Sequence, residues 1–297
     1  MFRAILRTRQ RRILLSLIGL ITILTITGNS VAMARPNDYQ SHWFSGYKSR
    51  GTALGTLPAV NGGIPGLSGF RFNFKGGDHH FGSLVATFDS PGVVGCCSGS
   101  WYAKLSDYNN DDAYWYDIRW QELPPDTTYG SGGQYVRMDG QYHDIYLGEN
   151  NRMWTIPVLT GFKISGDGTS DSHLEGISIK ISGERGFGGP EPIYARVRLG
   201  GGGADKSVRV SYALVSKHHV DGYLETISGT SSGSERTGRL TSDQPVLLGF
   251  ALRFRNGSHH VDRVGVEVWP NNWRVTFEDK NHDDPYEYTI YSAWIRD

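Results

Sequence analysis

One short pattern recurs three times along the chain and limits what it can fold into. "LSGFRFNFKGGDHHFGSLVATF" begins at Leu67, "LTGFKISGDGTSDSHLEGISIKI" at Leu159 and "LLGFALRFRNGSHHVDRVGVEVW" at Leu247, at offsets of 92 and 88 residues. Each copy opens with Leu-x-Gly-Phe and continues in strict alternation. Phe70, Phe72 and Phe74 fall on one face, with Arg71, Asn73 and Lys75 on the other; Phe250, Leu252 and Phe254 alternate likewise with Ala251, Arg253 and Arg255. A period of two with aromatic and branched residues marks a half-buried strand. The tips "KGGD" and "RNGS" are hairpin-turn chemistry, because glycine takes positive φ at little cost.

Three further strands repeat behind the first. The second carries Leu84, Ala86, Phe88; Ile177, Ile179, Ile181; Val264, Val266, Val268. The third carries Trp101, Ala103, Leu105; Ile193, Ala195, Val197; Trp273, Val275, Phe277. The fourth carries Tyr114, Tyr116, Ile118, Trp120; Val208, Val210, Tyr212, Leu214; Tyr286, Tyr288, Ile290. No convincing apolar period of 3.6 occurs after the N-terminal segment, and 39 glycines with 12% aromatic residues fit an all-β chain. The expected fold is three tandem, related, antiparallel β-sandwich-like units of about 90 residues, spanning 35–123, 124–216 and 217–297. Separate beads and one pseudo-threefold body are both compatible with this pattern.

Residues 1–34 read as a signal peptide. Arg3, Arg7, Arg9, Arg11 and Arg12 precede the apolar run from Ile13 to Ile26, and Ala32 and Ala34 form a small-residue cleavage pattern. That run is shorter than the ~20 residues a spanning helix needs. No later segment is apolar enough to span a bilayer, so a secreted or surface-exposed protein is expected. Removing the five leader arginines leaves 25 basic residues against 30 acidic ones. A net −5 argues against a general nucleic-acid role. The two cysteines, Cys96 and Cys97, are adjacent. Their intrachain disulfide would be a strained vicinal ring; a bridge between chains or two reduced thiols are the alternatives.

Two copies place an acidic loop between their third and fourth strands. "SDYNNDDAYWY" presents Asp107, Asn109, Asp111 and Asp112, and "FEDKNHDDPYEY" presents Asp279, Asn281, Asp283 and Asp284. The middle copy has "LGGGGADKSV" there, with Leu199 and Gly201 at the first two positions. Alternate oxygen donors in a tight loop suit a hard cation such as Ca²⁺. The glycine and bidentate glutamate of an EF-hand are missing, and Asp and Asn also fill bare turns for local reasons. Calcium in two loops and two bare polar turns are therefore the competing readings.

His80, His173 and His260 are equivalent by repeat, each four residues before the first apolar residue of the second strand. A threefold arrangement would bring them to one axis as a zinc-like set. In separate units each would instead cap its own strand.

No nucleophile with its base, metalloprotease motif, Walker loop or dinucleotide fingerprint is present, and no catalytic residue is assigned. Tyr108, Trp115 and Trp269 break the core parity or sit beside the acidic loops, where aromatics stack on sugar rings while polar groups take the hydroxyls. The closing strand "YTIYSAWIRD" resembles the terminal Trp-containing strand of the H-type lectins over ten residues, and no binding motif carries over with it. The leading expectation is a non-catalytic β-repeat protein binding glycans or another cell-surface or matrix component. A matrix or filament subunit that self-associates through strand edges is the alternative. A polysaccharide-degrading hydrolase is the third reading.

Overall fold

The computed structural model describes residues 41–57, 64–75, 79–89, 99–107, 112–166, 172–183, 189–241 and 244–296. The leader at 1–34, Cys96, Cys97, Tyr108, Asn109 and Asp111 lie outside the described residues. Among the described residues the regular structure is antiparallel β, apart from a single 3₁₀ turn at Lys217–His219. No described helix is long and apolar enough to cross a membrane.

Each copy of the repeat forms six strands. The first gives β1 (Ser41–Lys48), β2 (Ala53–Thr56), β3 (Pro65–Phe74), β4 (Ser83–Asp89), β5 (Ser100–Ser106) and β6 (Tyr114–Glu122). The second gives β7 (Thr128–Val136), β8 (Asp139–Asn150), β9 (Thr155–Ser165), β10 (Leu174–Ser182), β11 (Glu191–Gly201) and β12 (Lys206–Ser216). The third gives β13 (Val220–Ser231), β14 (Arg236–Arg239), β15 (Pro245–Phe254), β16 (Val261–Trp269), β17 (Asn272–Asp279) and β18 (Tyr286–Ile295).

These strands make three six-stranded sheets, and every sheet is shared between two copies. The first sheet runs β1-β6-β3-β16-β17-β14, the second β2-β5-β4-β9-β12-β7 and the third β13-β18-β15-β10-β11-β8. The seams are β3 with β16, β4 with β9, and β10 with β15. Consequently the repeats do not close three separate cores. One apolar cluster draws residues from all three copies, with Phe70, Phe162 and Phe250 at its centre. Their ring centroids lie 5.0, 4.9 and 5.4 Å apart around the pseudo-threefold axis.

The Leu-x-Gly-Phe pattern has a direct packing cause. Leu67, Leu159 and Leu247 are fully buried, and so are the three phenylalanines at 1% exposure or less. The intervening glycine sits at each seam, where the neighbouring copy's backbone passes close by. A Cβ on Gly69 would lie 2.7 Å from the Cα of Glu267, and Gly161 and Gly249 face Thr87 and Lys180 in the same way. Only glycine leaves room for two copies to pair at these points.

The two ends of the molecule differ. At the end where β3, β9 and β15 finish, the inner surface is closed by histidines. At the opposite end it is closed by an apolar cap that includes Leu123, Val158, Val215, Val246 and Ile295.

Candidate functional site

The histidine end is built from short loops stitched across the copies by backbone hydrogen bonds. The Phe81 amide donates to Ser172 O (2.7 Å), the Leu174 amide to His259 O (3.0 Å) and the His259 amide to Leu174 O (3.1 Å). In the first copy His79 Nδ1 and Asp112 Oδ2 are 2.7 Å apart, and the imidazole stacks on Phe74 at 4.1 Å. The third copy repeats this with His259 Nδ1 and Asp284 Oδ2 at 2.6 Å, beside Phe254 at 4.7 Å. Tyr114 and Tyr286 stand next to these pairs, fully buried, with their hydroxyls reaching Ala103 O (2.9 Å) and Ser234 O (2.9 Å). In the middle copy Lys206 occupies the tyrosine position and donates to Ser172 Oγ at 3.0 Å.

Each anchored residue precedes an axial one. His80, His173 and His260 come together, with ring centroids 5.1 Å (80–173), 4.3 Å (80–260) and 4.2 Å (173–260) apart. The single-body architecture thus unites the three repeat-equivalent histidines.

The structure brings together only part of each acidic loop. In the third copy Asp279 and Asp284 converge with His259, one ligand atom of each lying within 4.8 Å of the others. Asp279 is 5% exposed, and its Oδ1 has no hydrogen-bond partner. Burial raises the Asp284 pKa, a hydrogen bond that its protonated carboxyl donates to Asp279 raises it further, and the His259 charge opposes both. Asn281 and Asp283 are exposed instead of turned in. The Asp279–His282 segment is a tight turn in which the His282 amide donates to Asp279 O (3.2 Å) and His282 takes φ 58°. In the first copy Asp112 is held by His79, and Asp107 begins the corresponding loop.

A second constellation lies on the outer face of the first sheet. Glu267 on β16 is 1% exposed; its Oε1 accepts from Arg119 Nε at 2.7 Å and its Oε2 from Arg274 Nε at 2.6 Å. Asp117 on β6 accepts from Arg71 Nη2 at 3.5 Å, while its Oδ1 is buried without a partner. Burial pushes the Asp117 pKa up, the Glu267 charge adds to this, and the guanidinium groups of Arg119, Arg71 and Arg274 oppose it. Glu235 lies 3.8 Å from Arg71 and accepts from Thr276 at 3.3 Å.

Around these charges runs a groove of about 510 Å³ lined by Arg71, Asn73, Trp115, Asp117, Glu235 and Arg263. Trp115 is 52% exposed and packs against Tyr47 at 4.8 Å, with Trp43 exposed on the neighbouring strand row. Trp269 is held flat between Arg119 (5.1 Å) and Arg274 (5.4 Å). Two of the three aromatics singled out in the sequence therefore belong to this face.

Sequence reading overlooked the ionic network, although its parity was legible. Asp117 and Arg119 alternate with the core residues of β6. Glu267 and Arg274 face each other across the Pro270–Asn271 turn, so a hairpin register alone pairs them. No protein-family model matches the chain, and no curated protein matches it in sequence.

Proposed function

We propose that the protein is a non-catalytic glycan-binding protein of the cell exterior, and that its binding surface is the outer face of the first sheet. The observation that carries this reading is the groove at Arg71, Asp117 and Trp115. An exposed indole offers a face to the apolar side of a sugar ring, and fixed guanidinium and carboxylate groups offer paired hydrogen bonds to vicinal hydroxyls. The network contains nearly matched numbers of arginines and carboxylates, which favours a neutral sugar over an anionic one. Export is supported by the arginine-rich leader and its small-residue cleavage pattern.

Hydrolysis would need two carboxylates that reach the substrate. Glu267 spends both oxygens on Arg119 and Arg274 and is closed to solvent, and the two carboxylates that do line the groove, Asp117 and Glu235, both lie against the Arg71 guanidinium, at 3.5 and 3.8 Å. Binding is therefore the better account of the groove.

A glycan array followed by calorimetry with the best neutral oligosaccharide tests this. Trp115→Ala and Asp117→Asn should each weaken binding at least about tenfold, or about 1.4 kcal/mol. Tyr142→Ala on the third sheet should leave it unchanged. Release of reducing ends from a bound polysaccharide would replace binding with hydrolysis. Concentration-dependent polymerisation without any sugar affinity would favour a matrix subunit.

A further inference from the structure

We propose that His80, His173 and His260 are the ligands of one transition-metal ion, zinc or another borderline divalent cation, held on the pseudo-threefold axis with a fourth position open. This is independent of the glycan reading and concerns a different part of the molecule. Three elements from three copies deliver one imidazole each to the same point, and one ring nitrogen of each lies within 4.8 Å of the other two. A tetrahedral zinc with Zn–N of about 2.0–2.1 Å requires ligand nitrogens about 3.4 Å apart. Small rotations of the rings about their side-chain torsions close that gap.

Much of the ordering cost of such a site is already met by the fold. The backbone beside every axial histidine is tied to a neighbouring copy or to its own hairpin: Phe81 to Ser172, Leu174 to His259, and the Gly202 amide to His173 O at 3.2 Å. The residue preceding each axial histidine is fixed by its own side chain, through Asp112, Lys206 or Asp284. All three imidazoles are half-buried, so an ion can enter while most water is excluded.

The donor set decides the class of ion. Three neutral imidazoles suit zinc, copper or nickel and serve calcium or magnesium poorly. They leave the ion's charge uncompensated, so the open position would take hydroxide or another oxygen anion. The way the copies diverge points in the same direction. The anchoring chemistry changes from His–Asp–Tyr in the outer copies to Ser–Lys in the middle one, while all three keep an axial imidazole.

The test is calorimetric titration of the metal-stripped protein with Zn²⁺, paired with the visible spectrum of Co²⁺ as a geometry probe. The expected result is one ion per chain with four-coordinate cobalt absorption. His80→Ala, His173→Ala and His260→Ala should each lower affinity by more than the about tenfold that loss of an outer-shell partner costs, and the triple variant should abolish the site. Far-UV circular dichroism and the melting temperature of each metal-free variant separate ligand loss from unfolding. Failure of Zn²⁺ to bind at micromolar concentration overturns the proposal. So does a site that survives the triple variant and disappears in Asp279→Asn, since the ion would then belong to the His259–Asp279–Asp284 cluster.

Discussion

At the histidine end, the two outer copies and the middle copy reach the same geometry by different chemistry. Tyr114 with His79 and Asp112, and Tyr286 with His259 and Asp284, form corresponding sets of a buried phenol, an imidazole packed against a phenylalanine and a carboxylate. The middle copy replaces them with Lys206, 1% exposed, and Ser172, with Ala204 at the carboxylate position. A lysine can be buried this deeply only when its ammonium is hydrogen-bonded. The backbone path is therefore not dictated by any one anchor. It follows from the seams and the axial core, which are the same in all three copies, while the anchors are free to vary around them.

That conclusion can be broken most directly at the axis. If the core is truly threefold, Phe70→Ala, Phe162→Ala and Phe250→Ala should each cost about 3–5 kcal/mol, the usual penalty for emptying a buried phenylalanine site. Chemical denaturation with a common m-value measures this. A much smaller loss in the middle copy would show that its different anchor reflects a looser core instead of an alternative way to hold the same one.

A smaller, pH-dependent effect should distinguish the copies. Burial raises the Tyr114 and Tyr286 pKa values from 10 to about 12. The folded-state values exceed the unfolded ones, so the stability each phenol contributes is whole below pH 10 and is lost as pH rises to about 12. At 1.36 kcal/mol per unit this is on the order of 2–3 kcal/mol per phenol. The middle copy carries no phenol at this position, where Lys206 stands. Tyr114→Phe and Tyr286→Phe lose hydrogen bonds at every pH, yet each should flatten the alkaline fall in stability between pH 10 and 12. Thermal unfolding across that range reads the slope separately from the offset. Equal slopes in wild type and double variant would mean the phenols already titrate normally.

Much of this architecture was legible in the chain. The period of two around Phe70, Phe162 and Phe250 identified the inner strands, and the fourfold strand pattern located most buried residues. The exchange of strands between copies was not legible, because alternation says which face a strand buries and nothing about which strand lies beside it. The glycine of Leu-x-Gly-Phe was the available clue, since it marks a close backbone approach. The site was harder to read for the same reason. His80, His173 and His260 are equivalent in sequence, but whether they meet depends on the seams. Glu267 and Asp117 are scattered in sequence and meet only across the β3–β16 seam, where Arg71 lies between them.

The smallest effect concerns the acidic loops, where the outer copies and the middle copy differ most in charge. Asp279 and Asp284 lie together in a partly closed site, and the Asp284 pKa is raised chiefly by burial and then by Asp279. A group raised in this way adds stability at acidic pH and loses it as pH rises through the folded-state value, so at neutral pH the pair carries a cost that a cation would relieve. A calcium Kd of about 10⁻⁴–10⁻³ M is typical of extracellular modules. At ten times the Kd, binding to the folded state adds about 1.4 kcal/mol per site. For a domain of this size that is a rise of about 3–5 °C in melting temperature. Asp279→Asn should leave the metal-free protein at least as stable as wild type while removing the calcium response of the third copy. Asp107→Asn should do the same to any response of the first copy, and the middle copy, with Leu199 and Gly201 in place of the donors, should give none. If about 10 mM calcium moves neither wild type nor variant, the pairs His79–Asp112 and His259–Asp284 are complete in themselves. The outer loops then differ from the middle one only in how they fasten the strand ends, by imidazole and carboxylate instead of lysine and serine.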